Sequence, residues 1–127
     1  MIAEEKALAG KRVLIVEDEM LVALLIEDFL ADLDCRSIGP FGSVATALVA
    51  ARTEDLDLAV LDVNLGGERV YPVAEVLAER GIPFLFLSGY GEEAIPPDHP
   101  GWKVCAKPFK SEMLVRMLCS LLAPAVG

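Results

Sequence analysis

The chain alternates between two hydrophobic periods, and the alternation predicts its elements. Arg12-Val-Leu-Ile-Val16 is a short β-branched apolar run, the pattern of a strand buried on both faces. From Met20 to Leu33 the spacing turns helical, with Val22, Leu25, Ile26, Phe29 and Leu33 on one stripe. Cys35 to Gly39 predicts a weaker second strand closed by Gly39-Pro40. Ser43 then predicts the cap of a helix whose inward residues are Val44, Ala47, Leu48 and Ala51. Leu58-Ala-Val-Leu61 predicts a third strand, ending at Asp62 and followed by a loop, Asn64-Leu-Gly-Gly67. Pro72 suits the first turn of a third helix, with Val73, Ala74 and Leu77 inward and Gly81 at its end. Ile82 to Leu87 and Lys103 to Ala106 predict the fourth and fifth strands, and Ser111 to Leu122 a last amphipathic helix. Between them, Gly89 to Gly101 carries three prolines and three glycines, so a fourth helix there is short or irregular.

Five alternations of strand and helix imply a doubly wound α/β fold: a five-stranded parallel sheet with helices on both faces. Ligands of such sheets lie at the carboxyl ends of the strands. Strand one ends in Glu17-Asp18-Glu19, strand three in Asp62, strand four in Ser88 and strand five in Lys107-Pro108. Carboxylates about 4 Å apart at an effective dielectric of about 20 repel by several kcal/mol. A divalent cation relieves that repulsion, and an all-oxygen site with few protein ligands suits Mg²⁺. Asp62 would then sit beside a metal and a lysine, both able to stabilise charge on a phosphoryl group, with Ser88 adding a hydroxyl. Taken singly, each feature is ordinary. Glu17-Asp18 could only favour the positive end of the following helix, Asp62 could be a turn residue, and Ser88-Gly89 a loop start. Their conjunction at four strand ends is what phosphoryl transfer to a carboxylate would need.

Length and charge narrow the setting. The 127 residues fit one domain, with a core from about Lys11 to Leu122. Hydrophobic residues make up 54% and aromatic ones only 6%, so the core is mainly aliphatic. Eleven basic against 20 acidic residues give a net charge of −9, which argues against a surface that binds nucleic acid directly. No apolar run approaches the roughly 20 residues of a membrane helix. The start, Met-Ile-Ala-Glu-Glu-Lys, lacks the apolar run of a secretory signal, so a cytoplasmic protein is expected. Cys35, Cys105 and Cys119 are widely spaced and read as reduced, mostly buried small hydrophobes.

The segments Val13-Leu-Ile-Val-Glu-Asp-Glu19, Leu58-Ala-Val-Leu-Asp62, Ser88-Gly89 and Lys107-Pro-Phe109 occur in one order over nearly the whole chain. Together they resemble the receiver domain of two-component response regulators. Phe86-Leu-Ser-Gly-Tyr90, with Asp62-Val-Asn-Leu-Gly66, is similar to that family's FATGUY subgroup, often stand-alone receivers. The resemblance implies a flavodoxin-like sheet of order 2-1-3-4-5. It implies that Asp62 is phosphorylated by a histidine kinase or histidine phosphotransfer protein. Asp18 and Asp62 would ligate Mg²⁺ directly, Glu17 mostly through water, and Asn64 through its main-chain carbonyl. Ser88 and Lys107 would contact the phosphoryl oxygens.

Three positions depart from the family pattern. Val104 falls where the family has a switch aromatic, the loop after Asp62 has Gly66-Gly67 in place of a proline and should be more mobile, and the fourth helix is eroded. Tyr90 is read either as a participant in switching or as a partly buried loop aromatic. Leu21 and Leu24 lie off the stripe of their helix, where they mark a face for a partner or a homodimer, or are ordinary surface leucines. Only five residues follow Leu122, so the expected role is a regulator acting through a downstream protein target. A phosphate sink or relay, or the receiver excised from a longer protein, are the alternatives. A haloacid-dehalogenase-like phosphatase using Asp62 with Asn64 is a weaker one, because the metal pair precedes the nucleophile.

Overall fold

The computed structural model describes residues 7–122. Its main sheet holds β1 (Arg12–Val16), β2 (Arg36–Phe41), β3 (Leu58–Asp62), β6 (Phe84–Ser88) and β7 (Lys103–Ala106), all parallel, in the order β2-β1-β3-β6-β7. Counted within this sheet alone, that is the expected 2-1-3-4-5. A separate hairpin, β4 (Asn64–Leu65) and β5 (Glu68–Arg69), follows β3. The helices are α1 (Met20–Asp32), α2 (Val44–Thr53), α3 (Tyr71–Glu79) and α4 (Ser111–Leu122). Gly91–Ala94 forms a single 3₁₀ turn where a fourth crossover helix would stand, so the proline-rich segment is irregular as its composition implies.

Burial sorts the strands. Every residue of β3 and β6 is buried, and all of β1 but Arg12, whereas the edge strands β2 and β7 are largely exposed or half-buried. Two cores form, one on each face of the sheet. Leu14, Leu61 and Phe86 pack with Ala47 and Ala51 of α2 and Val73 and Leu77 of α3. Ile15, Val60 and Leu85 pack with Ile26 and Leu30 of α1 and Leu114 and Leu118 of α4. Alternate residues of one strand feed opposite cores, as the pleat requires.

Four features differ from the sequence expectation. In α1 the buried stripe is Ala23, Ile26 and Leu30, continued by Leu33, while Leu25 is 43% exposed. That helix is apolar on almost every side, so two stripes of helical spacing compete and the packing, not the pattern, selects one. The second strand does not close at Gly39-Pro40 but runs on to Phe41. A register shift between Leu14 and Val16 opposite it makes room, and Gly39, at φ +113°, lies so near the Ile15 carbonyl that a Cβ there would be 2.7 Å from it. Only glycine fits that bulge. The loop after Asp62 is ordered as a hairpin, with Gly66 and Gly67 at φ +55° and +93° supplying the left-handed pair a two-residue hairpin turn needs. The fourth strand begins at Phe84 rather than Ile82, after Pro83.

Candidate functional site

The carboxyl edge of the sheet gathers the polar residues that end its strands. Glu17, one step beyond β1, is anchored when its backbone N–H donates to the Phe41 carbonyl at 3.0 Å. Asp62 is the last residue of β3 and Ser88 the last of β6, on neighbouring strands paired Asp62↔Leu87. The Lys107 N–H donates to the Ser88 carbonyl at 2.9 Å, extending the ladder past β7. Glu17, Asp62 and Ser88 are all buried, whereas Asp18 is exposed at the rim.

Lys107 reaches across the edge. Its ammonium lies 3.2 Å from Glu17 Oε1 and 3.4 Å from Asp62 Oδ1. One carboxylate oxygen from each of Glu17, Asp18 and Asp62 lies within 4.8 Å of the others. One ammonium cannot balance this set. Burial pushes the Glu17 carboxyl up to about 8, reinforced by the adjoining Asp62 carboxyl and opposed by Lys107. Burial alone would lower the Lys107 ammonium, but the Asp62 and Glu17 carboxylates override it and hold it above its ordinary value. Glu17 Oε2 is buried, with no hydrogen-bond partner among the described residues. An orphaned carboxylate oxygen in a nest of oxygen donors fits a hard divalent cation such as Mg²⁺.

The hairpin completes the rim. The Gly66 N–H donates to Asp18 Oδ2 at 3.0 Å, so the turn fastens the exposed carboxylate. The Val70 N–H donates to the Val63 carbonyl at 3.0 Å, while the Val63 N–H donates across to the Leu87 carbonyl at 3.2 Å, and with the Val70 bond just outside it the pair Asn64↔Arg69 is a non-hydrogen-bonded one. The hairpin ladder therefore does not use the Asn64 carbonyl. Ser88 Oγ accepts the Tyr90 N–H at 3.0 Å, which leaves its own hydroxyl proton to donate. Tyr90 itself is 72% exposed, so the reading of a partly buried ring does not hold. Val104 is half-buried against the core, an aliphatic side chain where the family has an aromatic.

The structure thus brings Glu17, Asp18, Asp62 and Lys107 together, with Ser88 on the adjacent strand end. One group without a side chain joins them, the Gly66 main chain, which the sequence signals only through its glycine pair. Tyr71, whose hydroxyl donates to the Ala94 carbonyl, stands outside this set and has no signal in the sequence.

The sequence matches the family model described as response regulator receiver domain over residues 13–118. The chain belongs to the response regulator receiver domains. SdrG from Sphingomonas melonis Fr1 is 42% identical, with 90% of this chain and 98% of SdrG covered at a TM-score of 0.79. The PhyR receiver domain from Erythrobacter litoralis is 25% identical, covering 95% of this chain and 99% of its own, at 0.80. The receiver domain of the sensor histidine kinase PA1611 from Pseudomonas aeruginosa, solved with magnesium coordinated in its active-site cleft, is also 25% identical. It covers 89% of this receiver domain and 98% of its own chain, at a TM-score of 0.73. No curated protein matches the sequence. Among the described residues of this receiver domain, no helix is long and apolar enough to cross a membrane.

Proposed function

We propose that this receiver domain is the phosphoacceptor of a two-component system, acting in the cytoplasm, and that Asp62 takes the phosphoryl group. The donor is a phosphohistidine on a histidine kinase or phosphotransfer protein. An Asp62 carboxylate oxygen attacks phosphorus in line; the new P–O bond forms as the P–N bond breaks. The bonding pair leaves on the imidazole nitrogen. Lys107, already on Asp62 Oδ1, keeps its pairing with the anionic site as the acyl phosphate adds about −1.5 to −2 charge. The Ser88 hydroxyl donates to a phosphoryl oxygen. Glu17, Asp18, Asp62 and the Asn64 carbonyl would hold Mg²⁺, which supplies charge compensation for the transferring group. The net charge of −9 favours a downstream target that is a protein rather than nucleic acid. Leu21 and Leu24, both exposed beside the acidic rim, offer apolar surface for protein contact.

The observation that carries this reading is the buried Glu17–Lys107–Asp62 bridge with Glu17 Oε2 left unpartnered. Intact mass after incubation with acetyl phosphate or phosphoramidate tests it. The expected result is a Mg²⁺-dependent, base-labile adduct that disappears in Asp62→Asn. An adduct formed at an unchanged rate by Asp62→Asn would refute the assignment.

A further inference from the structure

Past Ser88 the chain runs through the 3₁₀ turn Gly91–Ala94 and then, as a strap carrying Pro96, Pro97 and Pro100, to Trp102 at the foot of β7. Of this strap only Ala94 is buried. Two open cavities flank it. One of about 430 Å³ is lined by Ile95, Pro97, Trp102, Val104 and Met117. The other, of about 360 Å³, is lined by Tyr71, Glu75, Pro97 and His99 among others. A segment with space on both sides is held by its few specific contacts rather than by close packing.

Those contacts converge on α3. The Tyr71 hydroxyl donates to the Ala94 carbonyl. The His99 ring lies flat on Trp102, centroids 3.8 Å apart, and its Nε2 is 4.0 Å from Glu75 Oε1. Beneath them Tyr71 meets Phe86 edge-on at 5.7 Å, and Trp102 meets Phe86 and Phe84 at 5.6 and 5.1 Å. Tyr71, Phe84, Phe86 and Trp102 are half of the chain's eight Phe, Tyr and Trp residues, gathered under a segment of irregular backbone.

Tyr71 also borders the phosphoacceptor edge. A third cavity, of about 280 Å³, lies between the hairpin and the strap and is lined by Val63, Arg69, Tyr71, Tyr90, Glu93 and Ala94. Val63 follows Asp62, and the Tyr90 N–H is on Ser88 Oγ. Tyr71 therefore lines one cavity with the residue whose N–H is on Ser88 Oγ, and its hydroxyl binds the carbonyl that fastens the strap.

We propose that Tyr71 is a positioning residue through which the state of the Asp62–Ser88 edge reaches the strap. In the unphosphorylated molecule its hydroxyl holds Ala94 down over Phe86. When Ser88 and the following turn are drawn toward a phosphoryl group on Asp62, the Ala94 carbonyl moves off the phenol. A hydrogen bond weakens steeply with such misalignment, and the strap up to Trp102 is released. Val104 need not rotate, because the coupling ring sits on α3 instead of β7. This inference rests on the phosphoacceptor reading above.

Trp102 is the chain's only tryptophan, so its emission reports on the strap. The experiment compares the full chain with Tyr71→Phe, each with and without acetyl phosphate and Mg²⁺, reading adduct mass, tryptophan emission and amide exchange over residues 91–102. In the native chain the adduct should change the emission and speed exchange across the strap. Tyr71→Phe should take up the phosphoryl group to the same extent. Its unphosphorylated emission and exchange should already lie toward the phosphorylated values, and the increment should shrink to roughly half or less, as for an equilibrium already shifted. A merely structural tyrosine would raise exchange equally in both states and leave the increment intact, which would overturn the proposal. An adduct in the native chain with neither emission nor exchange altered would also overturn it. Absence of any adduct in the native chain would remove the phosphoacceptor reading, and this proposal with it.

Discussion

The acidic edge and the proline strap meet at Ser88, yet they are built by opposite means. At the edge, groups are fixed from several directions: Glu17 by the Phe41 carbonyl and Lys107, Asp18 by the Gly66 amide, Asp62 by Lys107. Glu17 and Asp62 hang directly from strands buried on both faces. The strap is fastened by one phenol hydrogen bond, the buried Ala94 side chain and the ring edges of Trp102, the His99 stack on Trp102 being internal to it, with cavities beside it. The difference suits the role proposed for each region. In-line transfer loses rate with small misplacements, so the reacting groups belong on rigid strands. A segment that changes state must open at low cost, so it is drawn from the least packed part of the molecule. Strand β6 serves both, since Phe86 underlies the strap and Ser88 closes the edge.

The contrast can be broken most forcefully at Phe86. Phe86→Ala removes a fully buried ring from the shared strand and should cost about 3–5 kcal/mol, read from the denaturant midpoint. It should loosen edge and strap together. If phosphorylation rate survives while only the strap melts, the two regions are less joined than β6 implies.

The charge on the edge gives a smaller effect with a defined sign. Glu17 rises from 4.5 to about 8 on folding, so the native state binds its proton more tightly than the unfolded chain. The stability this contributes is fully present below about 4.5 and is lost as pH rises through about 8. Without metal, Tm should fall by several degrees between a pH of about 5 and a pH of about 8. Added Mg²⁺ should raise Tm more at the higher pH, where the orphaned carboxylate is ionised. An equal Mg²⁺ effect at both values would show that Glu17 is not the group relieved. The smallest change is expected in the strap itself. Pro97→Ala touches no close-packed surface and should shift stability within about 0.5 kcal/mol, while increasing exchange over residues 91–102.

Much of this was legible in the sequence, and the parts that were not share a cause. The three central strands announced themselves because burial on both faces demands unbroken apolar runs, and a carboxylate or serine directly after such a run marks the edge. Lys107 was legible as a strand-end lysine, although its bridge to Glu17 was not. Strand β2 reads short in the sequence because a mostly exposed edge strand without an apolar run resembles a loop, and Gly39-Pro40 resembles a stop. The α1 stripe failed because a helix with only Glu27, Asp28 and Asp32 to break its apolar surface has no single preferred face. The Gly66-Gly67 turn was read as mobility, whereas two left-handed glycines also specify an ordered hairpin. Tyr71 left no trace, since a phenol that binds a main-chain carbonyl 23 residues away has no local signature.

The contact between Gly66 and Asp18 has a consequence for how this edge tolerates change. A peptide amide, unlike a side chain, is present whatever residue stands at the position, so conventional replacement at position 66 leaves the donor in place and alters only the path of the chain around it. What the sequence must preserve there is a shape: two successive residues that accept φ of +55° and +93°. The placement of the Asp18 carboxylate is thereby governed by turn geometry, through a main-chain donor rather than a side chain. An ester substituted for the amide at that single bond would remove the donor while keeping every side chain, and would isolate its share in holding Asp18.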